Sequence, residues 1–353
     1  MKKYSMKIEI WGTYPPPIGG VSIHIMRLVH RLQENNLNVV VKDFNGLNTK
    51  KLDYVLPIKN KFIEFFKIPF RKKTIIHLHS SNFAALLLLF FLGKRHVIGL
   101  TVHNKRLIDL KNPLKRKLFS LFLRRLDFIL LNDSAYKEQF INFFNLKTEK
   151  IYLCPAYIRP LEIERMPLSD KTLQFRKDKE FLISANAFML KLENGLDLYG
   201  LDLLIELIAA MKKIEIDVGL IFCLPQVGNK SYYKEMLQLI NKNGLEGDIL
   251  ILQGNIPNAF QIWEISDLFI RPTTTDIEGV SVKEALDFGT KVITSDVCIR
   301  PKQAILFKNR NFDDLYSKTI KVYRASKSQD AVQVNFTELD AVPLIIKLYK
   351  SFF

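Results

Sequence analysis

Short apolar runs recur along this chain, each followed by a helical repeat or a turn. In the first half, the runs at Lys7 to Trp11, Asn38 to Asp43, Thr74 to His79, His96 to His103, Asp127 to Leu131 and Lys150 to Cys154 read as strands. Between the first two, Ile25, Leu28, Val29 and Leu32 recur at helical spacing and predict a helix over Val21 to Glu34. Nearly continuous apolar strands alternating with helices predict a parallel sheet covered on both faces. After Pro155 the segment Tyr157 to Glu180 turns polar and reads as an irregular linker. The alternation then resumes, with strands expected at Phe181 to Ala187, Asp217 to Cys223, Asp248 to Gln253, Leu268 to Arg271 and Lys291 to Ser295. Helices are expected near Gly200 to Lys212, Ser231 to Lys242 and Val282 to Phe288. The chain reads as α/β with two parallel-sheet domains, at about 1–160 and 175–335, and a last helix within 336–353.

Composition narrows the class. With 353 residues, 48% hydrophobic and 25% charged, the chain has material for two cores and is not a disordered sequence. The first residues run into a strand without a sustained apolar segment, so no secretory leader is expected. The longest apolar run, Phe83 to Leu92, is too short to cross a bilayer. Cys154, Cys223 and Cys298 are odd in number and widely spaced, which suggests neither a disulfide framework nor a zinc motif and fits a cytoplasmic setting.

Charge changes the picture more. Residues 1–150 carry 27 Lys and Arg against 10 Asp and Glu, whereas residues 151–353 carry 25 against 26, so the whole formal excess of +16 arises in the first half. It concentrates in Lys59 to Lys73 and Lys94 to Arg125, interleaved with Phe, Leu and Ile. Basic and aromatic residues together suit an anionic membrane surface. Nucleic acid would feel the same field, but no recognition motif for it accompanies the charge, and none is expected as a partner.

The segment Asp276 to Pro301 holds the candidate chemistry. Asp276 and Glu284, with seven residues between them, span a Gly-Val-Ser turn that opens a helix just beyond a strand. Ligands of open α/β sheets gather at the carboxyl ends of strands, helix starts attract phosphate, and carboxylates accept hydrogen bonds from sugar hydroxyls. The same letters allow a ligand-free reading, because Ser281-x-x-Glu284 is also a capping box. Gly19 and Gly20 stand before a helix in the loop after the first strand, where glycines permit close approach of a diphosphate or simply make a tight turn. His77 and His79 alternate at a strand end, which puts both on one side, but the spacing shows no third metal ligand and there is no Asp-x-Asp.

The Thr-rich run before Asp276, then G-V-S-V-K-E-A-L and S-D-V-x-x-R-P, resembles the acid, seven residues, acid motif of the family 4 retaining glycosyltransferases. The resemblance implies the GT-B fold, two Rossmann-like domains facing across a cleft, with the last helix crossing back to the first domain. It implies a metal-independent hexosyltransferase that moves a hexose or N-acetylhexosamine from a nucleotide diphosphate sugar to a saccharide or lipid-linked saccharide, with no cofactor. The basic half would then rest on the inner face of the cell membrane. Catalytic roles fall to His103 and Asp276. Donor contacts fall to Gly19, Gly20, Asn186, Lys191, Glu278, Gly279, Val280, Ser281 and Glu284, with Glu284 on the ribose.

The chain departs from that family at two positions. Asn186 stands where an arginine is usual and Tyr199 where a lysine is usual, both of which neutralise the donor diphosphate. Lys191 and Arg300 are the substitutes visible in sequence. The departures motivate an alternative, a catalytically degenerate GT-B protein that binds a glycan or assembles with a partner enzyme. A sugar-nucleotide epimerase is a third reading of the same fold.

Overall fold

A computed structural model of the chain describes residues 6–16, 19–45, 52–103, 105–254, 256, 258–276, 279–328 and 340–353. Two compact units emerge, one of residues 1–158 with 339–353 and one of residues 159–338.

Unit 1 contains seven parallel strands, β1 (Lys7–Gly12), β2 (Val39–Asp43), β3 (Val55–Pro57), β4 (Thr74–Leu78), β5 (Val97–Thr101), β6 (Phe128–Leu131) and β7 (Ile151–Leu153). Their order across the sheet is β3-β2-β1-β4-β5-β6-β7. Its helices are α1 (Gly20–Glu34), α2 (Lys61–Phe66), α3 (Phe83–Leu92), α4 (Pro113–Arg125) and α5 (Ser134–Phe144). The terminal helix α12 (Ala341–Lys350) also belongs to this unit. Side chains alternate across a strand, so Ile8 and Ile10 pack toward α1 and α12, whereas Trp11 joins the opposite core with residues of α2 to α5. Both faces are thereby covered, as the apolar strands require.

Unit 2 repeats the plan. Its main strands are β8 (Phe181–Asn186), β12 (Val218–Leu224), β14 (Ile249–Gln253), β15 (Leu268–Arg271), β16 (Lys291–Ser295) and β17 (Ile305–Phe307), in the order β14-β12-β8-β15-β16-β17, every neighbouring pair parallel. Helices α7 (Leu201–Lys213), α8 (Lys230–Lys242) and α11 (Phe312–Lys327) contribute to one core, and α9 (Ala259–Glu264) with α10 (Val280–Asp287) to the other. Four two- or three-residue strands, β9 (Met189–Leu190), β10 (Leu192–Glu193), β11 (Leu196–Asp197) and β13 (Gln226–Gly228), decorate the ends of β8 and β12. The β10 and β11 hairpin turns through Asn194 and Gly195, both at positive φ, as a two-residue turn of this kind demands.

The expected linker differs from the observed one. Within Tyr157 to Glu180, α6 (Asp170–Lys177) forms, its N-terminus capped by Ser169, whose hydroxyl accepts from the Thr172 amide at 3.2 Å. The polar composition of this helix hides it from an apolar-periodicity reading, because only Thr172 in it is buried. The three-residue strands β3 and β17 were likewise not expected.

Candidate functional site

Each main sheet has one point where the chain path reverses direction, and most of the described residues selected from sequence lie at one or the other. In unit 2 the path runs from β8 through β12 to β14, then returns to the other side of β8 with β15, β16 and β17. Such a switch point opens a crevice at the carboxyl ends of the two central strands. Parallel pairing of Leu268 with Ile183 and Phe269 with Ser184 carries Arg271 and Asn186 out of the sheet side by side.

Arg271 organises the residues there. Its Nη1 donates to Asn186 Oδ1 at 3.1 Å, its Nε donates to Asp276 Oδ2 at 3.0 Å, and its guanidinium lies 5.6 Å from the Tyr199 ring centre. Arg300 Nη1 donates to the same Asp276 oxygen at 3.0 Å, and its Nε donates to the Ser295 carbonyl at 3.3 Å. The Arg300 side chain is 0% exposed and that of Asp276 only 13%. Burial alone would raise the Asp276 carboxyl, but the charges of Arg271 and Arg300 outweigh it and hold the group down at about 2. Burial likewise works against the Arg271 charge, which Asp276 more than restores. Two guanidinium groups against one carboxylate leave this trio net positive.

The N-terminus of α10 adds to that field. Gly279 is its N-cap, at φ 66 and ψ 68, with no side-chain cap. The first amides of a helix have no acceptor within it, so they point their partial positive charge outward. A Cβ at Gly279 would stand 2.4 Å from Arg300 Nη1 and 3.0 Å from Asp276 Oδ2, so both conformation and space require glycine. Because the helix begins at Val280 rather than Val282, Ser281 is its second residue and the alternative Ser281-x-x-Glu284 capping box does not form. Glu284 lies one turn in, half-buried, where its Oε2 accepts from the indole Nε1 of buried Trp263 at 3.4 Å.

The structure brings Asn186, Asp276, Gly279 and Arg300 together, with Val280, Ser281 and Glu284 following on α10. Lys191 is exposed at the foot of the β10 and β11 hairpin and makes no ion pair among the described residues. Glu278 lies outside the described residues. Arg271 was missed in sequence although it directly precedes the Pro-Thr-Thr-Thr-Asp run. A basic residue ending a strand five positions before an acid was the available signal.

In unit 1 the path reverses between β1 and β4. Gly19 caps α1, where Ser22 Oγ accepts from the Gly19 amide at 2.9 Å and donates to the Gly19 carbonyl at 3.0 Å. A Cβ at Gly20 would meet nothing within 4 Å, so the protein's own packing does not demand that glycine. Four of the six histidines converge nearby. His77 and His79 have ring centres 4.3 Å apart, as their alternation predicted. The missing third partner, however, is supplied by the fold: His79 Nδ1 lies 3.0 Å from His103 Nε2, and His24 packs against both rings at 5.4 and 5.1 Å. Parallel pairing of β4 with β5 and the crossing of α1 bring together residues that sequence spacing keeps apart.

Burial depresses all four imidazoles. His24 falls to about 4, with the Arg27 charge adding to burial, and His77 to about 3, while His79 and His103 lie well below the usual histidine value; for these last three, neighbouring histidines add to burial. All four are neutral at pH 7. His77 is engaged at both nitrogens, by Tyr349 Oη at 2.5 Å and Thr101 Oγ1 at 2.7 Å. His24 Nδ1 lies 2.9 Å from the Ala156 carbonyl, which only accepts, so that nitrogen carries the proton. A cavity of about 30 Å³ is lined by His24, Thr101, His103, Asn132 and Cys154.

The basic half also shows an apolar surface. Phe62 and Phe66 of α2, Phe70 just beyond it, Phe91 of α3 and Leu114 of α4 are each more than 60% exposed. Helix α3 packs against both α2 and α4, which makes their outer sides continuous. Among the described residues no helix is long and apolar enough to cross a membrane.

Comparison with known proteins fits this geometry. Residues 174–328, most of unit 2, match the family model of the glycosyl transferases group 1. Sequence comparison with curated proteins gives no match. Among solved structures, a glycosyltransferase from Rickettsia africae superposes with a TM-score of 0.76 at 14% identity, over 99% of each chain. Anabaena Alr3699/HepE, in complex with UDP, gives 0.71 at 13% identity over 98% of each chain. A trehalose-6-phosphate protein from E. coli, bound with UDP-2-fluoro glucose, gives 0.61 at 12% identity over 98% of each. The chain therefore has the GT-B fold, two Rossmann-like α/β halves, and the second half matches the glycosyl transferases group 1.

Proposed function

We propose that the protein is a retaining glycosyltransferase that moves a hexose or N-acetylhexosamine from a nucleotide diphosphate sugar to a saccharide or lipid-linked saccharide acceptor, as in the building of surface polysaccharide. The observation that carries this reading is the Arg271, Asp276 and Arg300 trio, set at the switch point of unit 2 beside the uncapped N-terminus of α10. Such a place binds anionic phosphate through backbone amides and fixed cations. The amides of Gly279, Val280 and Ser281 and the Arg271 guanidinium take the diphosphate, and their charge stabilises its departure without a metal ion. Asp276, ionised throughout, accepts from donor-sugar hydroxyls, and Glu284, steadied by Trp263, accepts from the ribose. Unit 1 carries its own candidate contacts at its switch point, Gly19 and Gly20 before α1 and neutral His103, which takes a sugar in this reading.

Arg271 also bears on the alternative reading. Asn186 and Tyr199 lack the charge expected at their positions, which favours a degenerate scaffold, yet both touch Arg271, which returns a cation to that point. UDP leads the candidate nucleotides, since two of the structures of similar fold hold UDP or a UDP-sugar derivative. The exposed aromatics of α2, α3 and α4 among lysines and arginines suit peripheral attachment to the inner, anionic face of a cell membrane. Incubation of the protein with radiolabelled UDP-sugars and a lipid-linked acceptor tests the transfer. No affinity for any nucleotide sugar, with no product, would instead favour the scaffold.

A further inference from the structure

We infer that His24, His79 and His103 form a binding site for one divalent transition-metal ion of the zinc class. One nitrogen from each residue lies within 4.8 Å of the other two. In a tetrahedral zinc site, ligand nitrogens about 2.0–2.1 Å from the ion stand roughly 3.3 Å apart. Small rotations of the rings close that difference.

Two nitrogens of these three rings are otherwise unexplained. His24 Nε2 and His79 Nε2 are buried and have no hydrogen-bond partner among the described residues. Buried polar side-chain atoms are nearly always paired, and an orphan of this kind marks an ion or water that satisfies it. Both orphans belong to rings of one cluster, which points to a ligand there. The His24 tautomer is already set for such a role, because its Nδ1 proton is held by the Ala156 carbonyl and leaves Nε2 as a lone pair. A backbone carbonyl holding the second nitrogen is the usual support of a metal-bound histidine.

The donor set selects the ion. Three imidazoles with no carboxylate suit zinc, cobalt, nickel or copper and not magnesium or calcium, which require oxygen ligands. The cavity beside His24 and His103 leaves room for roughly one water as a fourth ligand. His77 is excluded as a ligand by its bonds to Tyr349 and Thr101. The bond between His79 and His103 opens when the ion takes its third ligand. Because His103 is assigned to the sugar in the proposed reaction, the cation and the sugar compete for it. That consequence rests on the proposed function, whereas the site itself does not.

The test uses the full chain without an affinity tag, stripped by chelator and titrated with Co²⁺. One equivalent is expected to bind with the visible absorption of four-coordinate cobalt and to be displaced by Zn²⁺. His24→Gln and His79→Gln should each weaken binding about ten-fold or more, while His30→Gln, outside the cluster, should not. Wild-type imidazole NMR provides a readout free of any folding defect, with Zn²⁺ shifting His24 and His79. Absence of saturable binding, unchanged affinity in both cluster variants, or shifts confined to His30 and His96 would each overturn the assignment. Nucleotide binding by unit 2, measured on the same samples, separates a failure here from a failure of the proposed function.

Discussion

Replacing Asp276 by Asn removes the carboxylate that two guanidinium groups share. Arg271 and Arg300 share Asp276 Oδ2, each at 3.0 Å, and the Arg300 side chain has no exposure through which water could replace the lost partner. Breaking a buried pair of this kind costs about 3–5 kcal/mol, largely because the surviving cation stays buried. The carboxyl's own displacement, from 3.8 to about 2, corresponds to roughly 2 kcal/mol of stabilisation at neutral pH. A loss of about 2–5 kcal/mol from unit 2 is therefore expected. Since the folded-state value is the lower one, that stabilisation is complete above pH 4 and disappears as pH falls from about 4 to about 2. The chain holds two tryptophans, Trp11 in unit 1 and Trp263 in unit 2, so a Trp11→Phe background makes indole fluorescence report unit 2 in urea titrations. Asp276→Asn should unfold at lower urea at pH 7, and the gap from the parent should narrow toward pH 3. A change under about 0.5 kcal/mol at pH 7, the size of an ordinary surface substitution, would refute the buried-trio argument.

Three further outcomes follow from the same geometry. Gly279→Ala forces a left-handed residue and a 2.4 Å approach to Arg300, so it should cost about 1–3 kcal/mol and abolish nucleotide stabilisation in thermal-shift assays. His24 falls from 6.5 to about 4 on folding because burial disfavours its charged form, so it is without effect above pH 6.5 and destabilises the fold by roughly 3 kcal/mol as pH drops toward 4. Trp11 fluorescence in a Trp263→Phe background should show unit 1 weakening over that window, and a pH-independent midpoint would contradict it. Phe66→Ser with Phe70→Ser should lower flotation with anionic vesicles while leaving stability unchanged, since both side chains are exposed. Equal flotation of the double variant and the parent would remove the aromatic contribution.

The α/β alternation was legible because buried parallel strands are apolar on both faces. Leu268–Arg271 and Lys291–Ser295 appear at their expected bounds, and most others within two residues. Helix α6 was hidden because it buries little, and the three-residue strands β3 and β17 were not expected, although β7, equally short, was. Asp276 and the Gly279 turn were visible as a motif in one continuous segment. Arg271 became meaningful only when β8 and β15 were known to be neighbours, since Asn186 lies 85 positions away from it. The histidine cluster was illegible for the same reason: His24, His79 and His103 are joined by strand order and not by spacing. A local string shows which groups occupy a loop, whereas the counter-charges of a buried site come from whichever strands the topology places beside it.

The account stands or falls on donor binding by unit 2. The direct measurement is a thermal-shift screen of the wild type and Glu284→Ala against UDP, GDP, ADP and their common sugar conjugates. A ligand that binds only the folded state stabilises it by roughly 2.7 kcal/mol at a hundred-fold excess over its dissociation constant. The account predicts a shift of that order with one nucleotide, UDP first, in the wild type and its loss in the Glu284→Ala variant. No shift with any nucleotide, or an equal shift in both proteins, would contradict it.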